Sequence, residues 1–118
     1  MKKLFVPYEI AKQLKEKGFD EPCLKSITET GFENDYSILG AKNWNEFQFV
    51  VSIPLWQQVV DWFRNNHKII IESRPLNTLG WWDALIYNEE CERIWRDSGY
   101  KTYYEALTKA VEKALKFI

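Results

Sequence analysis

The stretch IPLWQQVVDWFRNNHKIII, residues 53–71, decides how the rest of the chain is read. At about 100° per residue, Leu55, Trp56, Val59, Val60, Trp62 and Phe63 fall within an arc of roughly 160°, while Gln57, Gln58, Asp61, Arg64 and Asn65 fill the remainder. An apolar stripe that broad predicts a helix buried against a sheet. Pro54 suits its first turn, Ser52 or Ile53 lies at the cap, and Asn65 to His67 close it before a β-branched run begins. The two tryptophans therefore read as core. His67, the chain's one histidine, reads as a group that donates to the last free carbonyls or favours the negative end of the helix dipole.

Upstream, VPYEIAKQLKEKGF has Pro7 in the first turn, Ile10, Ala11 and Leu14 on one face, and Gly18 where a left-handed cap belongs. The spacing predicts a helix over residues 7–17, with Phe19 folding back on its last turn. PCLKSITETGF predicts a strand over 23–29, closed by Gly31. Residues 31–45 show no sustained period and read as an ordered loop. EFQFVVSI alternates Phe47 and Phe49 with polar neighbours and reads as a strand leading into the central helix.

Downstream, KIIIES is a strand followed by a turn region at Arg74-Pro75, and GWWDALIYN is another after Gly80. The short connection makes an antiparallel hairpin the economical pairing. In residues 89–99, Cys91, Ile94 and Trp95 fit one helical face, but an edge strand is the favoured reading. Thr102 and Glu105 form a T-x-x-E capping box, and Tyr103, Leu107, Ala110, Val111, Ala114, Leu115 and Ile118 recur at helical spacing. That predicts a helix over 103–117, with Glu105–Lys109 and Glu112–Lys116 as supporting pairs. The fold class expected is α+β: one domain over residues 1–118, an antiparallel sheet of three to four strands, and three helices on one face.

Composition narrows the functional classes. A chain of 118 residues, 46% hydrophobic and 28% charged, is a folded globular protein. Its net charge of -1 supplies no global field toward nucleic acid or an acidic membrane. The apolar run Leu4–Val6 is too short for an export signal, and no stretch reaches the roughly 18 apolar residues of a membrane span, so a cytoplasmic location is expected. Cys23 and Cys91 each stand alone and read as buried free thiols.

No catalytic signature, metal-ligand spacing or cofactor motif is present, so the expectation is a non-enzymatic protein without metal or cofactor. A Cys91–His67 or Cys23–His67 dyad lacks any local pattern, and Glu89, Glu90, Glu92 and Asp97 read as a solvated charged loop.

The surplus lies in Trp81-Trp82. Consecutive strand residues point to opposite faces, so only one ring can face the helices. The other needs a loop, a subunit interface or a ligand to cover it. With Tyr87, Trp95, Arg74 and Arg93 expected on the same sheet, these six residues form the candidate binding surface. Two partners suit it: a protein, a second copy of this chain included, or single-stranded nucleic acid stacked on the aromatics and held by the arginines.

Three blocks, LFVPYEIAKQLKEKGFDEPC at residues 4–23, PLWQQVVDWFR at 54–64 and YYEALTKAVEKAL at 103–115, cover over a third of the chain. Together they resemble a family of small uncharacterised proteins from gut bacteria and their phages and mobile elements. The resemblance implies a cytoplasmic accessory protein and brings no mechanism with it. Residues 31–48 and NEECERIWRDSG depart from the family's usual form.

Overall fold

A computed structural model describes residues 4–35, 40–76 and 80–118 of the chain. Helix α1 (Tyr8–Glu16) follows Pro7, which stands at the N-cap rather than inside the first turn. Its far end is a glycine-capped reversal: Gly18, at φ +90, donates to the Lys15 carbonyl and Phe19 donates to that of Leu14. This is the arrangement that a left-handed residue after a helix makes possible, and only glycine adopts it without cost. Phe19 is then buried, as expected from its place after the glycine.

The described chain divides into two compact units, Met1–Val59 and Val60–Ile118. In the first, β1 (Lys25–Thr28), β2 (Glu33–Asp35) and β3 (Val50–Ile53) form an antiparallel sheet in the order β2-β1-β3, and α1 lies against β3. Its buried apolar residues are Val6, Ile10, Ala11, Leu14, Phe19, Cys23, Val51 and Ile53, joined by Trp56 and Val59 from the start of the next helix.

That helix, α2 (Trp56–His67), crosses the boundary between the units. Trp56, Val59, Trp62 and Phe63 are buried along it, which is the apolar stripe expected of it. The His67 ring stands edge-on to Trp62 at 4.7 Å and also faces Phe63, so aromatic contact is part of its role at the helix end.

The second unit is a meander: β4 (Ile70–Leu76), β5 (Trp81–Tyr87) and β6 (Arg93–Tyr100) pair antiparallel in that order, and α3 (Tyr103–Leu115) lies on them. Thr102 caps α3 by accepting the Glu105 N–H at 3.1 Å, and Glu105 reaches back to the Lys101 N–H at 3.1 Å. Ala106, Leu107, Ala110, Val111, Ala114 and Leu115 are buried.

Several expectations are corrected. The strands form two three-stranded sheets rather than one, and the helices do not share a face: α1 goes to the first sheet and α3 to the second. The loop expected over 31–45, of which 36–39 lie outside the described residues, contains β2 and leads into a 3-10 turn at Trp44–Glu46, elements too short to show a period. Phe47 and Phe49 lie before β3, not in it, and are 40% and 60% exposed.

Further along, β4 continues through Arg74 and Pro75, because Pro75 sits on an edge strand where its missing N–H costs the sheet nothing. Cys23 is buried, but Cys91 is exposed in the turn between β5 and β6. Lys109 pairs with Glu112 at 3.5 Å, three residues away, in place of the four-residue pairs expected.

Candidate functional site

Residues opposite one another in an antiparallel sheet share a face. The uninterrupted β4–β5 register therefore sorts the candidate residues. Trp82 lies opposite Pro75, Ala84 opposite Ser73 and Ile86 opposite Ile71. Ser73 donates its hydroxyl to the Tyr103 carbonyl and Trp82 meets the Tyr103 ring edge-on at 5.5 Å, so this is the face beneath α3. Trp95, opposite Ile86, belongs to it as well.

The alternate residues form the other face. Trp81 lies opposite Leu76, Asp83 opposite Arg74, and Leu85 between Glu72 and Arg96; Tyr87 lies between Ile70 and Arg93. The structure thus places Trp81, Tyr87, Arg74 and Arg93 on one face, Trp81 and Arg74 toward one end of β5 and Tyr87 and Arg93 at the other, and sends Trp82 and Trp95 to the α3 face. The question raised by the tandem tryptophans is settled: Trp82 is the one covered by the helix, and Trp81, 39% exposed, is the one left at the surface.

Two residues not among the six candidates stand at the centre of that second face. Asp83 is 2% exposed, and its Oδ2 accepts a hydrogen bond from Arg96 Nη2 at 2.8 Å. Its Oδ1 has no partner. Arg74 Nε lies 3.9 Å from Glu72 Oε1 on the same strand. One signal in the sequence could have found Asp83: an acidic residue among five apolar ones in WWDALI is unusual for a central strand, and such a charge needs a partner.

The outer edge of β6 is blunted. Its register with β5 shifts between Trp82 and Ala84 and again between Ile86 and Tyr87, and Gly99 adopts φ +94. Such irregularities bend an edge away from regular pairing with another strand. Asp97, near this edge, accepts a hydrogen bond from the Tyr100 hydroxyl. Burial and that bond push the Tyr100 hydroxyl up to about 12.

The turn before β6 is organised by Asn88. Its side-chain oxygen accepts the N–H groups of Glu90 at 3.0 Å and Glu92 at 2.9 Å, and its amide donates to the Glu92 carboxylate. Cys91 stands in this turn at φ +62. In contrast, burial pushes the Cys23 thiol from 9.0 up to about 12, so at neutral pH it stays protonated.

Among the described residues, no three His, Cys, Asp or Glu side chains gather as metal ligands would. None of the described helices is long and apolar enough to cross a membrane. Compared with known proteins, the chain matches no family model, no curated protein and no solved structure.

Proposed function

We propose that this chain is a non-enzymatic binding module that recognises protein, a second copy of itself included, through the β4–β5–β6 face opposite α3. One observation carries the reading: the exposed Trp81 shares a face with Arg74, Arg93 and the Asp83–Arg96 pair. Tryptophan and arginine combine apolar area with directional hydrogen bonding, and they dominate the energetics of protein interfaces. The blunted β6 edge favours docking on the face over addition of a strand to the edge. The resemblance of the three sequence blocks supports a cytoplasmic accessory role of prophage or mobile-element origin.

Light scattering across a concentration series, with Trp81→Ala beside the parent, tests the self-association part. The expected result is a mass that rises with concentration in the parent and less so in the variant. A strict monomer with unaltered behaviour in both counts against it.

A second reading, single-stranded nucleic acid, is favoured by the presence of Arg74, Arg93 and Arg96 on one face with Trp81 and Tyr87. Phosphate contacts weaken as salt rises, so oligonucleotide binding at two salt concentrations separates the two readings.

A further inference from the structure

Asp83 is the only charged side chain among the described buried residues, and it is only half paired. Burying such a carboxylate costs free energy that a well-packed apolar residue in its place would not. Packing therefore does not account for it; position does. The Arg96 side chain is 40% exposed, and a guanidinium carries five N–H donors in a rigid fork. Held at 2.8 Å by a buried anion, Arg96 loses the rotamer freedom that a surface arginine normally gives up on binding.

The charges on this face are also unequally placed. Arg74, Arg93 and Arg96 are exposed, whereas Asp83 is buried and Glu72 is half-buried beside Arg74. The three arginines therefore offer positive charge to solvent around a centre, Asp83 and Leu85, that is itself buried, although the chain's net charge is -1.

We infer that Asp83 is a positioning residue that preorganises Arg96, so that Arg96, with Arg74 and Arg93, takes the carboxylates of an acidic segment of a partner protein while Trp81 covers the segment's apolar part. This inference rests on the face reading above and names the partner's chemistry. Single-stranded nucleic acid needs several open rings on which successive bases stack. Here Trp82 is engaged with Tyr103 and Trp95 lies on the α3 face, which leaves Trp81 as the one exposed ring of the four aromatic candidates. Carboxylate recognition by a fixed guanidinium has no such requirement.

The test measures binding of a labelled oligoglutamate peptide and a labelled oligothymidylate to the full chain, the Arg96→Ala, Asp83→Asn and Trp81→Ala variants, with a thermal melt of each. The parent is expected to bind the peptide more tightly than the oligonucleotide. Arg96→Ala and Asp83→Asn should each weaken peptide binding about tenfold. Asp83→Asn should leave the melt almost unchanged, because the released Arg96 is already half in water.

A purely structural Asp83 would give the reverse, a lowered melt with peptide binding intact, and would overturn the assignment. If Asp83→Asn or Arg96→Ala fails to fold, Arg96→Lys, which keeps a cation beside the buried carboxylate but loses the guanidinium fork, carries the test, and unchanged peptide binding there overturns the inference equally. Tighter binding of the oligonucleotide, or no binding of the peptide, removes the acidic partner. The face reading falls separately, when Trp81→Ala alters neither peptide binding nor self-association.

Discussion

The two sheets solve the same problem by different means. In the first, strands of three and four residues have little ladder of their own, and side chains from distant parts of the chain hold them. Asn45 accepts the Ser52 N–H of β3 at 2.8 Å and donates to the Phe19 carbonyl at 2.9 Å, while Trp44 donates its backbone N–H to the Ser52 hydroxyl and its indole N–H to the Cys23 carbonyl. Lys15 on α1 donates to the carbonyls of Phe47, Gln48 and Val50.

In the second sheet, strands of seven and eight residues follow one another as a meander, and a capped amphipathic helix covers one face. Local pairing does there what long-range side-chain bonds do in the first unit. Short strands need such anchors because an unpaired buried backbone group costs as much as a lost hydrogen bond.

The largest effects should be shared by both units. Leu14→Ala in the first and Leu107→Ala in the second each empty a buried site and should cost roughly 2–5 kcal/mol, read by denaturant melts. The anchors should then separate them. Asn45→Ala strands the Ser52 N–H in buried surroundings and should cost about 1–3 kcal/mol. Asn88→Ala removes the equivalent organiser of an exposed turn and should cost under about 1 kcal/mol, since water replaces its bonds. Equal losses from the two asparagines would break the comparison.

Lys15→Met keeps the stem and removes three charge-assisted bonds; about 1–2 kcal/mol is expected by the same melt. Thr102→Ala, the cap of α3, should cost about 1 kcal/mol.

A pH dependence of the first unit rests on Cys23. The folded Cys23 thiol titrates near 12 against 9.0 for an ordinary thiol, so the fold holds the proton that the unfolded chain releases. The stability it contributes is fully present below about 9 and is lost as pH rises toward 12. Melts at pH 8 and pH 11 should show a smaller alkaline loss in Cys23→Ala than in the parent. At pH 8 a thiol reagent should modify exposed Cys91 quickly and Cys23 only on unfolding. Two fast thiols in the native protein would refute the burial of Cys23.

The helices were the most legible part of the chain, because each writes its own signature. Gly18 marks the end of α1, the stripe from Trp56 to Phe63 marks α2, and Thr102 with Glu105 marks α3. The β4–β5 hairpin was legible from its short connection and β-branched run. Pairing between strands was less so. β2 has three residues, too few to display alternation, and nothing local tells β1 and β3 to form a sheet apart from β4 to β6.

The candidate site was half legible. Alternation alone required Trp81 and Trp82 to part, but which one is covered depends on where α3 lands.

What the sequence by itself determined, then, is local: three helices, the glycine that ends α1 and the capping box that begins α3, the hairpin, and the demand that one of two adjacent tryptophans lack a place in the core. What only the tertiary structure decided is the division into two sheets, the choice of Trp82 for the α3 face, and the meeting of Asp83 with Arg96 across two strands. The physical reason is range. Periodicity and capping act within one or two turns of chain, whereas register brings together residues whose separation in sequence carries no trace of their contact.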